Sequence, residues 1–262
     1  MLVHVDVFGV SLNTFGIVFA VAFLACGLLI ARRLRELGKP VDWAYEIVFA
    51  ALIGGVVGSR VYFIAQNGTS GGLAHTLFSG SGLIWYGGVV GGAIAVALWA
   101  AYRGFFGVAL LDLAAPALAL GYAIGRIGCQ LSGDGDYGKP SHLPWAMGYP
   151  HGTVPTPPGV TVQPTPVYET LVMGLVALWL WRARDRYRPG VLFAAYLILA
   201  GTERFLIEFI RRNTHVLLGL TAAQLESAAM IAAGTLWLAW LRRSGSLQRP
   251  PEQKLDRALS AA

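Results

Sequence analysis

The sequence predicts an all-α, polytopic membrane protein with about seven transmembrane helices, and three observations carry that prediction. Of its 262 residues, 55% are hydrophobic and only 13% are charged, with a mean hydropathy of +0.57; soluble domains are about a quarter charged. Apolar runs bounded by charges or by Gly/Pro-rich loops recur along the chain. Arginine and lysine fall almost entirely on alternate connections, the asymmetry that orients helices in a bilayer.

A bilayer core about 30 Å thick needs about 20 apolar residues per helix, which places spans at roughly 10–30, 44–66, 82–101, 107–131, 166–181, 190–210 and 217–241. The first run follows MLVHVDVFGV, which lacks the basic n-region of a cleaved leader, so it is expected to be retained as the first helix, opened by Asn13 and Thr14. The second and third contain GGVVG at 54–58 and 87–91, small residues that let helix backbones approach closely. The longest connection, 134–165, carries Pro140, Pro144, Pro150, Pro155, Pro157, Pro158 and Pro164 with Trp145 and Tyr149, and reads as an irregular interfacial loop. From Ser244 the chain is polar and is expected to be disordered, giving one membrane domain over 1–243 and a tail over 244–262.

Seven spans put the two ends on opposite sides. Arg32, Arg33, Arg35, Lys39, Arg103, Arg182, Arg184, Arg186, Arg188, Arg242, Arg243, Arg249, Lys254 and Arg257 share one side, fourteen residues against Lys139, Arg211 and Arg212 on the other. The N-terminus is therefore expected outside and the C-terminus in the cytoplasm. The net charge of +6 is thereby explained by topology, and no nucleic-acid partner is expected, since that needs a basic patch interleaved with aromatics. Cys26 and Cys129 lie inside apolar stretches and form neither a disulfide framework nor a metal-ligand spacing.

Three arginines remain, Arg60, Arg126 and Arg204, each inside an apolar span. A guanidinium at bilayer depth costs at least a few kcal/mol and normally faces a polar cavity with a partner. At 1.5 Å per residue all three fall roughly 10 Å below the outer surface. Trp85, Tyr86, Gln130, Ser132, Asp134, Tyr168 and Glu169 reach the same level, and Arg204, Glu208 and Arg211 are spaced to share one helical stripe. Taken singly, each is read equally well as an ion pair joining helices, with Glu208 neutralising one arginine. Taken together they favour a site in which cations outnumber carboxylates and bind an anion, and at that depth the phosphate of a lipid headgroup is the natural ligand.

The same residues resemble a known family, the prolipoprotein diacylglyceryl transferases, over roughly residues 8 to 240. GRIGCQLSGDGDYG (125–138), QPTPVYE (163–169), ERFLIEFIRR (203–212), GSRVYF (58–63) and SGLIWYGGVVGG (81–92) are similar to blocks of that family, and Gln224 falls where its last span carries a glutamine. The resemblance implies transfer of the diacylglyceryl group from phosphatidylglycerol to the lipobox cysteine of preprolipoproteins at the outer leaflet of the bacterial inner membrane, releasing glycerol phosphate. It implies catalytic roles for Arg126, Arg204, Glu208 and Tyr86. It implies substrate contacts from Arg60, Cys129, Asp134, Gly138, Tyr168, Glu169 and Arg211. No metal or organic cofactor is implied, and Asp134 with Asp136 is too small a fragment for a calcium loop.

Two positions depart from the family pattern: Tyr86 stands where many members have histidine, and Cys129 where many have asparagine. An ordinary phenol with a pKa near 10 cannot accept the thiol proton near neutrality, which leaves Glu208, Asp134 or substrate phosphate as the base. His142 and His151 read as surface residues. Two further readings stand beside the transferase: a paralogue of the same fold with another acceptor or no catalysis, and an anion or lipid transporter. A transporter calls for polar residues through the full depth, whereas these are confined to the outer half.

Overall fold

In lipid a peptide group can be satisfied only within its own segment, so apolar runs become helices. The computed structural model describes residues 3–7, 10–67 and 85–249. Among these are seven helices, each overlapping an expected span: α1 Thr14–Glu36, α2 Trp43–Asn67, α3 Trp85–Tyr102, α4 Val108–Ser132, α5 Thr165–Ala183, α6 Val191–Ile207 and α7 Ala222–Arg243. Three stretches are long and apolar enough to cross a membrane, Thr14–Glu36, Trp43–Gln66 and Val108–Ser132. Helix α6 has 17 residues, short of the usual length of about 20, and brings Glu203 and Arg204 into its last turns. Many exposed side chains along the helices are large and apolar, among them Leu24, Leu28, Ile53, Leu98, Leu175 and Leu236, as suits lipid rather than water.

The all-α expectation is corrected at two places. Strand β1, His4–Val7, pairs antiparallel with β2, Val10–Asn13, so residues 10–13 are not helical. Asn13 Oδ1 accepts Phe15 N at 2.9 Å, which ends the strand and starts α1. Strand β3, His215–Leu217, pairs with β4, Leu220–Thr221, where the last span was expected to begin. Leu218 (φ 53°) and Gly219 (φ 74°) make the left-handed turn of this hairpin, and α7 then starts behind a capping box of Thr221 and Gln224.

The proline-rich connection is also better packed than expected. Tyr137, Tyr149 and Val162 form a small buried cluster, with the tyrosine rings stacked at 4.7 Å. Met147 and Val162 exchange backbone hydrogen bonds of 3.0 and 2.9 Å. The tail is tied down at its start, where Arg188 N donates to Leu247 O and Arg249 N to Arg186 O; residues 250–262 lie outside the described part.

The chain forms two compact units, Gly27–Leu110 and Met1–Cys26 with Leu111–Ala262. In the first, the two GGVVG segments face each other on α2 and α3. A Cβ on Gly58 would lie 2.7 Å from the Gly91 Cα, so only glycine permits this approach. Glu46 accepts Trp99 Nε1 (2.6 Å) and Arg103 Nε (2.9 Å), joining α2 to the end of α3. Arg60 lies in α2 of this unit.

In the second unit, Ala115, Ala119 and Ala123 of α4 pack with Met173 and Leu180 of α5 and Leu192 and Ala200 of α6. Asp112 on α4 accepts Gly190 N and Phe193 N at 2.8 and 2.9 Å, capping α6 from a neighbouring helix. Along α6 and α7, a Cβ on Gly201 would meet Ser227 O at 2.9 Å and one on Gly234 would meet Ala194 O at 2.7 Å. Helices α4, α5 and α6 are thus fixed against one another, and each carries part of the charged cluster described next.

Candidate functional site

Tyr122, Arg126 and Cys129 follow one another at four- and three-residue spacing on α4, which puts them on one face. Arg126 has partners on two other segments. Its guanidinium pairs with Asp136 and, through Nε, with Glu169 on α5. Its Nη2 donates to the Tyr122 hydroxyl at 3.3 Å, and the guanidinium lies 4.9 Å from the centre of that ring. Tyr122 in turn donates to Glu169 Oε2 at 3.0 Å. Glu169 is fully buried, and removing so buried a carboxylate from water is tolerable only because two guanidiniums and a hydroxyl surround it.

Arg211, just beyond α6, closes the circuit. Its Nη1 donates to Glu169 Oε1 at 3.1 Å, Nη2 bonds Asp136, and Nε lies 3.7 Å from Glu208 Oε2. Glu208 Oε2 pairs with Arg204 Nη1 at 2.9 Å, and Glu208 Oε1 accepts Asn213 Nδ2 at 2.6 Å. The stripe of Arg204, Glu208 and Arg211 is therefore a connected chain of ion pairs. Burial would raise the Asp136 carboxyl, but Arg211 and then Arg126 outweigh it and hold the group below its ordinary value. The Asp134 carboxyl moves the other way, raised by burial and then by the charge of Asp136, whose backbone N–H it accepts at 3.2 Å.

This corrects the expected surplus of positive charge. Within this unit three guanidiniums (Arg126, Arg204, Arg211) meet three carboxylates (Asp136, Glu169, Glu208), with Asp134 and Glu203 nearby. An anion entering the circuit competes with these carboxylates for the guanidiniums. Arg204 is the arginine placed to give its donors: Glu208 is its one ion-pair partner among the described residues, whereas Arg126 has two carboxylates and a hydroxyl.

The structure thus brings together Arg126, Arg204, Glu208, Glu169 and Arg211, with Asp134 and Cys129 at the edge; Arg126 Nη1 lies 3.9 Å from the Cys129 Sγ. The Tyr168 hydroxyl accepts Trp145 Nε1 at 2.6 Å. Gly138 acts through its backbone, donating to Gln163 O at 2.8 Å, and a Cβ there would meet Ile210 O at 2.7 Å, so the loop can pass the end of α6 only as glycine. Arg60 stands in the other unit, and the side chain of Tyr86 lies outside the described part. Three members were not singled out from sequence. Tyr122 had a signal in its four-residue spacing to Arg126, and Asp136 only a place in the Gly-Asp-Gly-Asp turn. Glu203 is buried and its Oε2 has no hydrogen-bond donor among the described residues. Cys129, Asp134 and Asp136 offer ligand atoms within 4.8 Å of one another, but Asp136 is already committed to two guanidiniums, so the set makes no case for a metal.

A mostly helical protein with membrane-length apolar helices and a buried arginine–carboxylate network is the class that fold and site define. The prolipoprotein diacylglyceryl transferase family profile matches residues 2–240, and the chain belongs to that family. It is similar to the phosphatidylglycerol–prolipoprotein diacylglyceryl transferase of Clostridium tetani, 30% identical over 214 residues covering 79% of this chain and 83% of the relative. The enzyme of that name from Methylococcus capsulatus is 32% identical over 255 residues, covering 89% and 93%. That from Leptospira interrogans is 30% identical over 233 residues, covering 78% and 73%.

Proposed function

We propose that this protein transfers the diacylglyceryl group of phosphatidylglycerol to the thiol of the lipobox cysteine of preprolipoproteins. The observation that carries the reading is the ion-pair circuit of Arg126, Glu169, Arg211, Glu208 and Arg204 inside a chain that matches the family over most of its length. In the reaction the carbon–sulfur bond forms as the glycerol carbon–oxygen bond to the phosphate breaks. Glycerol phosphate leaves with the electron pair, and the thiol proton goes to a base. Developing charge on the departing phosphate calls for donors fixed in advance, which Arg204 supplies while the circuit through Arg126 holds the helices in register. Asp134 is the better proton acceptor, because the Glu208 carboxylate is held by ion pairs to Arg204 and Arg211 and by a hydrogen bond from Asn213, while Asp134 accepts one backbone N–H and a hydrogen bond from the Cys129 thiol. Cys129, Tyr168 and Gly138 are substrate contacts in this reading, and the family resemblance adds Arg60 as a substrate contact and Tyr86 as a hydrogen-bonding group for the headgroup. No metal or organic cofactor takes part.

In this reading the protein sits in the bacterial inner membrane as a single catalytic domain over 1–243 with seven spans, its N-terminus and site outside and the 244–262 tail in the cytoplasm, in contact with phosphatidylglycerol, the signal peptide and the bilayer. Expression in a bacterium depleted of its own transferase is expected to restore growth and the lipid-modified form of a test lipoprotein; failure, with the protein present in the membrane, would sink the reading. A reporter fused after Arg243 is expected to behave as cytoplasmic and one inserted at Ser141 as external, on the fourteen-to-three charge split. Both reporters on one side would overturn the span count.

A further inference from the structure

Next to the ion-pair circuit, sharing Glu208 and Arg211 with it, lies a cavity of about 300 Å³. That is the lower end of the range for ligand pockets, room for a small polar group but not for acyl chains. Its walls come from the turn after α6, the β3–β4 hairpin and the start of α7. Lys139 and Arg212 add two cations that the circuit does not include, beside Arg211 and Glu208, which belong to it, and Asn213 lines the wall as well. The surplus of positive charge missing from the ion-pair circuit is found here.

The donors are placed but not used up. Arg211 is buried, and its Nε has no hydrogen-bond acceptor in bonding geometry among the described residues. Lys139 Nζ donates to Phe209 O at 2.8 Å, and an ammonium can donate three such bonds. The Arg212 guanidinium is held 4.4 Å from the centre of the Tyr137 ring, which fixes its plane beside the cavity. Thr221 and Gln224 line the opposite wall, so the N-terminal end of α7 and its partial positive charge also lie there. The wall is shared with Glu208, and through it with Arg204, so a phosphate leaving Arg204 has this cavity as its neighbour.

We infer that this cavity binds a glycerol-phosphate group, with Lys139 and Arg212 on the phosphate and Asn213 on a hydroxyl. The inference rests on the transferase reading for the source of the ligand, which is either the intact lipid headgroup or the free glycerol phosphate released on transfer.

The test uses the full-length protein in phosphatidylglycerol-containing nanodiscs. For the Lys139→Gln/Arg212→Gln variant, the inhibition constant of added sn-glycerol 1-phosphate is expected to rise at least tenfold. A parallel rise in KM for short-chain phosphatidylglycerol identifies the lipid headgroup as the occupant; an unchanged KM identifies the released product. Because the double variant may unfold, the same question is put to the unsubstituted protein: glycerol phosphate is expected to slow acylation of Lys139 by an amine-reactive label, read by peptide mass spectrometry. An inhibition constant within twofold of the parent in a folded variant, or no protection of Lys139, overturns the inference. An unsubstituted protein that transfers lipid yet shows no protection refutes the cavity alone. One that transfers nothing refutes the transferase reading.

Discussion

Replacing Arg126 by alanine is expected to abolish detectable transfer, and replacing it by lysine to recover little of the loss. Arg126 holds three partners at once, Asp136, Glu169 and the Tyr122 hydroxyl. A planar guanidinium reaches all three, whereas an ammonium on a flexible stem is a point charge that satisfies one or two. Removing one member of a buried pair leaves the other uncompensated, at about 3–5 kcal/mol. Here Glu169 and Asp136 would both be left to Arg211, and the geometry of Arg204 depends on Arg211 through Glu208. At about 1.4 kcal/mol per tenfold, even half of that cost passed to the transition state lowers the rate by more than an order of magnitude. Loss of an electrostatic donor from the site is itself worth about two to three orders. Transfer to a lipobox peptide and thermal unfolding in nanodiscs are measured together. The alanine variant is expected to lose both activity and several degrees of Tm, and the lysine variant to keep less than about a hundredth of the rate. At Arg204, with its single ion pair, lysine is expected to preserve Tm. A lysine variant at 126 with parental rate and Tm would show that one point charge suffices and that the planar fork has no part.

The contrast between these two arginines marks what could be read from the sequence. Hydropathy alone located the helices, because lipid leaves the backbone no other choice, and the GGVVG pair on α2 and α3 could be read as a contact because only small residues allow it. The stripe of Arg204, Glu208 and Arg211 followed from helical spacing. What stayed hidden depended on contacts between segments distant in the chain. Asp136 had no role assigned from the sequence, and only the structure shows Arg126 and Arg211 on its two oxygens. Tyr168 could be read from its motif and its depth, but its hydrogen bond from Trp145, 23 residues earlier in the chain, could not. The hairpin before α7 was masked by the apolar run HVLLGL, whose composition fits a helix and whose turn at Leu218 and Gly219 is set by backbone conformation. The charge balance was the largest misjudgement, since counting cations along single helices cannot show which carboxylates from other helices meet them.

The second large effect separates two carboxylates that the sequence leaves as equal candidates for accepting the thiol proton. Glu208→Gln is expected to lower transfer by about one to two orders of magnitude, chiefly as a higher KM for phosphatidylglycerol. The neutral amide still accepts Asn213 Nδ2 at Oε1, but it no longer neutralises Arg204 and Arg211 at Oε2. Asp134→Asn is expected to leave KM nearly unchanged and to lower kcat by about two to four orders, the usual worth of a positioned base. The pH dependence distinguishes the two roles. Asp134 has its carboxyl raised by burial and by Asp136, so a base at this position must lose its proton before it can act. Transfer by the parent is then fully active above that raised value and falls as the pH drops through it. In Asp134→Asn the group is gone, so the remaining activity is expected to show no acid limb over the same range, while Glu208→Gln keeps the limb. Profiles of kcat for both variants, taken with a peptide acceptor at saturating lipid, decide the matter. An acid limb lost in Glu208→Gln and kept in Asp134→Asn would exchange the roles, making Glu208 the base despite its two engaged oxygens. A limb kept in both variants would assign the proton to the substrate phosphate.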